Sequence, residues 1–160
     1  MTEPTHIRTE RADHPQVLAL LAELDRYLRT LYKPEENHIL DVQALLASEV
    51  SMLTAWQGDT LVGCGAVRRM PAEPETAGLP YGEIKRMMVA PAARGQGIAQ
   101  QLLVQLEALL RDDGYTQTLL ETGAAQTQAV QLYLRCGYVR RAAFGGYSDN
   151  GLSLFLTKAL

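Results

Sequence analysis

Only two cysteines, Cys64 and Cys136, occur in the 160 residues. Each sits among apolar neighbours, Val62 and Val67 for the first and Leu134 and Tyr138 for the second, so buried thiols are expected and a disulfide framework is not. Three histidines, His6, His14 and His38, are scattered without ligand spacing to one another or to cysteine, and no structural or catalytic metal is expected. Positive charge is also in deficit. With 15 Lys and Arg against 18 Asp and Glu the formal net charge is −3, so no overall field favours nucleic acid or an anionic membrane, and any basic site must be local. Long apolar runs are missing too: the chain opens on Met1-Thr2-Glu3-Pro4, and nothing in it approaches a membrane span. The expectation is a soluble, cytoplasmic protein that binds neither nucleic acid nor membrane.

What is present suits one domain spanning residues 1–160, large enough to bury a real core. His6 to Arg11 reads as a short strand, after which Asp13 stands as an N-cap with Pro15 in the first helical turn. Val17, Leu18, Leu21, Leu24, Leu28 and Leu31 recur at threes and fours and predict an amphipathic helix ended by Pro34. A polar loop follows, and Asp41 can cap a second short helix carrying Val42, Leu45 and Leu46. Met52 to Trp56 and Leu61 to Met70, joined by Gly58-Asp59, predict a hairpin. Pro71 to Pro80 is a loop before the strand Tyr81 to Val89.

A third helix is expected from about Gly97 to Asp112, with Ile98, Leu102, Leu106, Leu109 and Leu110 buried and Gly114 as its stop. Thr116 to Glu121 is a strand, Ala125 to Arg135 a helix ended by Gly137, and Val139 to Phe144 with Leu152 to Thr157 a closing antiparallel pair. The order is strand, two helices, three strands, helix, strand, helix, two strands. It describes an α/β (α+β) domain with a mixed central sheet and about four helices. A helix joining two parallel strands makes a crossover that leaves the loop after the first strand at a ligand-binding edge.

That loop is the most informative stretch. Val89-Ala90-Pro91-Ala92-Ala93-Arg94-Gly95-Gln96-Gly97-Ile98-Ala99 runs from strand end through glycines into a helix start. Gly95 and Gly97 permit backbone conformations that turn N–H groups toward one point, and the helix adds unpaired first-turn amides and its dipole, which together favour a phosphate. Ile98 and Ala99 follow the last glycine where a Walker loop needs Lys and Ser or Thr, and Gln100 occupies the third glycine position of a dinucleotide fingerprint. Neither motif fits. The spacing Arg94-x-x-Gly97-x-Ala99 instead resembles the acetyl-CoA signature of the GNAT superfamily of N-acetyltransferases, and the order of elements is similar to that fold from Ile7 to Leu160.

The resemblance implies acetyl-CoA as cosubstrate, held by Arg94, Gly95, Gln96, Gly97, Ile98 and Ala99, with a main-chain N–H of Met88 or Val89 on the thioester oxygen and no metal. An amine must lose a proton before it attacks, so a base is needed. Glu83, eleven residues before Arg94, matches the offset of the base glutamate in some members, while taken alone it reads as a solvated residue at a strand start. Glu121, flanked by leucines, is a rival that can serve as base, position a ligand, or bond to the backbone of Gly123 and Ala124. Tyr133 stands where the resemblance implies an acid for the leaving thiolate, and its other reading is ordinary core packing. The family's Asn-x-x-Ala-x-x-Leu-Tyr appears here with Gln126 in place of the asparagine, and the resemblance implies Gln126 as a further cofactor-binding residue.

The acceptor is implied to be a primary amine of a small molecule, an amino-acid-like one among the options, attacked directly. A protein lysine or N-terminus, and a non-catalytic acyl-CoA sensor, are the alternatives. Arg68, Arg69, Lys85 and Arg86 are either a carboxylate clamp or charges on a solvated sheet edge. Alternation sends the two members of each pair to opposite faces. The segments Lys33 to His38 and Phe144-Gly145-Gly146-Tyr147 flank the acceptor by the same resemblance. Cys136 precedes Gly137 at a helix end in no basic setting, and an inert thiol is expected. The late strands often mediate pairing in the family, which leaves a homodimer open.

Overall fold

The computed structural model describes residues 3–160; Met1 and Thr2, part of the polar opening, lie outside them. Its strands are β1 (Thr5–Thr9), β2 (Val50–Gln57), β3 (Thr60–Met70), β4 (Tyr81–Val89), β5 (Gln117–Gly123), β6 (Val139–Arg141) and β7 (Ser153–Ala159). Its helices are α1 (Pro15–Leu31), α2 (Val42–Leu45), α3 (Ile98–Asp112) and α4 (Thr127–Arg135). The strands form one mixed sheet in the order β1-β2-β3-β4-β5-β7-β6. β1 pairs antiparallel with β2, β4 parallel with β5 across α3, and β7 antiparallel with both β5 and β6. The closing pair is as expected, except that β6 stops at Arg141 and that β7 lies between β5 and β6. Among the described residues no helix is long and apolar enough to cross a membrane.

By contact the chain divides into two units, one running to Val67 and including Lys85–Leu106, the other made of Arg68–Ile84 and Glu107–Leu160. In the first, Val17, Leu20, Leu21 and Leu24 of α1 pack with Met52, Trp56, Leu61, Cys64, Ala66 and Met88. Each such aliphatic side chain contributes about 2 kcal/mol by leaving water. Leu18 and Leu31, expected on this stripe, are exposed, and Leu20 takes their place.

Asp13 does not cap α1. It is drawn off by Arg11, whose Nε and Nη2 donate to it at 3.0 and 2.9 Å, and His14 Nδ1 accepts from Gln16 N instead. The Gln16 side chain then clamps the β2–β3 turn, donating to Asp59 O at 3.0 Å and accepting from Leu61 N at 2.9 Å. Gly63 on β3 seats α3: a Cβ there would stand 3.2 Å from Ile98 Cγ2 and 3.3 Å from Leu102 Cδ1, so the glycine lets the helix approach more closely than a side chain ordinarily allows.

The second unit has an aromatic core of Tyr81, Phe144 and Phe155 with Leu119, packed against by Met70 and Tyr147. It also buries a charge on α3. Glu107 is 2% exposed and accepts from Tyr138 Oη and Lys158 Nζ, both at 2.9 Å, and Thr118 Oγ1 donates to Tyr138 Oη at 2.9 Å. Every member of the network is paired, as a buried carboxylate requires.

Candidate functional site

In the first unit, β4 delivers the chain to a short turn, Pro91–Ala93, and then to the glycines. Gly95 and Gly97 have φ of 81° and 75°, left-handed values that glycine adopts without strain. A Cβ at either would meet nothing within 4 Å, so the glycines shape the backbone and leave open space above it. The first bond of α3 runs from Gln101 N to Gly97 O, which leaves the N–H groups of Ile98, Ala99 and Gln100 without helical acceptors. Gln57 Nε2 donates to Gln96 Oε1 at 2.7 Å, and Arg94 Nε donates to Val89 O at 3.1 Å. The guanidinium is thus folded back over the end of β4. Open space, free donors and a cation fit a pyrophosphate.

One irregularity in β4 had no signal in the sequence. Arg86 has φ of 59°, a conformation that costs a side-chain-bearing residue and acts as a bulge. Its Nη1 donates to Asp25 Oδ1 on α1 at 2.6 Å with the side chain 5% exposed, and its Nε is buried without a partner. The bulge corrects the expected alternation. Lys85 reaches His38 O at 3.1 Å and Arg86 reaches Asp25, so both address segments before β2 rather than opposite faces. Met88, 8% exposed, belongs to the core, as its apolar side chain predicts.

In the second unit, Glu83 is not a solvated strand start. It is 4% exposed, and Tyr147 Oη donates to its Oε2 at 2.6 Å. Tyr147 reaches it from Gly145 and Gly146, at φ of 61° and 79°, with its ring edge-on to Phe144 at 5.4 Å. Phe144-Gly145-Gly146-Tyr147 therefore does more than line a surface: it orients a carboxylate.

β4 and β5 are in register at Glu83 and Leu119, two residues before Glu121. Glu121 accepts from Ser153 Oγ at 2.7 Å. It does not bond to the backbone beyond it: Gly123 N donates to Gln126 Oε1 at 3.0 Å and Ala124 N to Leu152 O at 2.9 Å. Gln126 thus closes the β5–α4 turn with its carbonyl. Tyr133 on α4 is 6% exposed and stacks edge-on with Tyr138 at 5.8 Å.

Burial first, then the charges of Cys136 and Glu121, pushes the Tyr133 phenol above its ordinary value, and burial followed by Glu83 and Glu121 does the same for Tyr147. Glu121 thus bears on both hydroxyls, and each keeps its proton at neutral pH, able to donate it. Cys136 is raised by burial and by Glu107, and Cys64 is pushed up to about 12 by burial. Neither is held as a thiolate. Among the described residues no group of three metal-ligating side chains converges.

The raised phenols carry a stability consequence. Below pH 10, the ordinary tyrosine value, folded and unfolded chains both hold these protons; above it the unfolded chain releases protons that Tyr133, Tyr138 and Tyr147 retain. Stability is therefore expected to fall as pH rises past about 10, read as a lower urea midpoint. A midpoint unchanged into that range contradicts it.

The family model for the Acetyltransferase (GNAT) family matches residues 17–138. A relative from Azospirillum brasilense named IAA acetyltransferase is 44% identical over 144 residues, covering 90% of each chain. The solved structure of a candidate acyl-CoA N-acyltransferase from Klebsiella pneumoniae is 33% identical, with a TM-score of 0.77 over 98% of this chain and 97% of that one. The PaiA N-acetyltransferase of Thermoplasma acidophilum, solved in complex with coenzyme A, shares the fold at 14% identity, with a TM-score of 0.73 over 98% and 99% of the two chains. The loop, the sheet with its parallel β4–β5 crossover and these relatives agree: the chain belongs to the GNAT acetyltransferase family and is an acyltransferase.

Proposed function

We propose that the protein, as one N-acetyltransferase domain over residues 1–160, moves an acetyl group from acetyl-CoA to a primary amine of a small molecule by direct attack. The observation that carries this reading is the buried Glu83 carboxylate, held by the Tyr147 hydroxyl, on the strand that leads into the glycine loop. Gly95 to Ala99 bind the pyrophosphate, with Arg94 adding charge at the rim. Glu83 takes the proton from the acceptor ammonium, and the freed nitrogen forms the C–N bond at the thioester carbon. A main-chain N–H of Met88 or Val89 donates to the carbonyl oxygen as it gains charge. When the C–S bond breaks, Tyr133 gives its proton to the sulfur, and the second proton shed by the newly bonded nitrogen replaces the one Tyr133 has lost. Glu121, held by Ser153, has a positioning role.

The relative named IAA acetyltransferase supports a small-molecule acceptor over a protein lysine or N-terminus. A pure acyl-CoA sensor needs neither a buried carboxylate such as Glu83 nor a buried phenol such as Tyr133. Incubation with acetyl-CoA and a panel of amines, amino acids and peptides, followed by free thiol, is expected to show release with one class of small amine. Tight acetyl-CoA binding without thiol release for any acceptor favours the sensor, and release with peptides alone favours protein acetylation.

A further inference from the structure

Four basic residues stand on β3 and β4, and three of them are engaged. Arg69 donates through Nε at 2.8 Å and Nη2 at 2.7 Å to Asp113, Lys85 donates to His38 O, and Arg86 is paired with Asp25. Arg68 is half-buried, and its side chain has no hydrogen bond, ion pair or ring contact among the described residues. A guanidinium cannot shed its proton, and with no protein counter-charge its paired donors are open to an anion.

Its neighbourhood says which anion. On β3, Gly63 and Gly65 face α3, through Ile98 and Leu102 for the first and Leu106 for the second. Arg69 follows them toward Asp113, just past the end of α3. Alternation then puts Arg68 on the opposite face with Met70, and Met70 packs against the cluster of Tyr81, Phe144 and Tyr147. Met70 closes β3 and Tyr81 opens β4, its sheet neighbour; their packing together across the loop 71–80 is that of an antiparallel pair. Arg68 is two residues before the loop side of β3, and Glu83 is two residues into β4. Counted from that loop they stand at one level, on the face where Tyr147 meets Glu83.

We propose that Arg68 receives the carboxylate of the acceptor, which is therefore an amino acid whose amine lies toward Glu83. This rests on the acetyl-transfer reading and adds the substrate class to it. A charge-assisted, paired hydrogen bond to a guanidinium discriminates strongly against a substrate that lacks the carboxylate. The engaged states of Arg69, Lys85 and Arg86 leave Arg68 as the cation for that role.

The test compares kcat/KM for the standard amino acids with that for the amines they give on loss of the carboxyl group, phenylalanine against phenethylamine among them. Wild type is expected to prefer its best amino acid by about 100-fold or more, chiefly through KM, and Arg68→Gln to erase most of that preference, with Arg68→Lys restoring part of it. Equal kcat/KM for the two sets, or a preference untouched by Arg68→Gln, overturns the proposal while leaving acetyl transfer standing. Thiol release from neither set, with acetyl-CoA bound, removes the acetyl-transfer reading and the proposal with it.

Discussion

Glu83→Gln is expected to lower kcat by about 100-fold near neutral pH, with the deficit shrinking as pH rises. The reason lies in the acceptor. A primary amine with a pKa of roughly 10 is almost wholly protonated at pH 7, so turnover there depends on a group that removes the proton; at higher pH the free amine is supplied by solution and the base matters less. The substitution is built to spare the fold. Gln keeps the shape of Glu, its amide oxygen can still accept from Tyr147 Oη, and the aromatic cluster around Phe144 is untouched. KM for acetyl-CoA should stay near wild type. An unchanged pH profile removes Glu83 from the role of base and transfers it to Glu121 or to a chain of waters.

Gly97→Asp is expected to weaken acetyl-CoA binding by about 100-fold at low salt, and by less as salt screens the added charge. Strain does not drive this result. Asp tolerates left-handed φ better than most residues, and a Cβ at Gly97 meets nothing within 4 Å. What changes is the sign of the field where the amides of Ile98, Ala99 and Gln100 point, which now repels phosphate. Gly97→Asn has the same shape without the charge and should cost far less. Calorimetric titration with coenzyme A gives the comparison; equal affinities for the Asp and Asn variants would place the pyrophosphate elsewhere.

Much of the fold was legible because local chemistry and tertiary demand agree there. The Gly58 turn, the β4–loop–α3 succession and the glycine stop of α4 are short-range patterns. The errors arose where a competing partner or the packing of a whole element decides. Asp13 has the chemistry of a cap but is claimed by Arg11, so His14 caps α1. Leu20 rather than Leu18 faces the core because the approach of α1 to the sheet sets its rotation.

No pattern in a sequence announces a left-handed arginine, and so the bulge at Arg86, which places Lys85 and Arg86 toward neighbouring segments, was out of reach. The same holds for β7 lying between β5 and β6. In the candidate site, Glu83 was legible by its offset from the loop, and Phe144 to Tyr147 by resemblance. The hydrogen bond that joins them spans 64 residues and needed the fold. The glutamines differ again: Gln126 occupies a family position yet spends its carbonyl on Gly123 N.

Initial rates measured while acetyl-CoA and the best amine are varied together, for wild type and Cys136→Ala, test the central claim most directly. Direct attack within one complex predicts intersecting double-reciprocal lines, one acetylated amine per thiol released, and no loss in Cys136→Ala, whose native thiol is pushed up by burial and by Glu107. Parallel lines with turnover abolished in Cys136→Ala would contradict it and require an acetyl-cysteine intermediate.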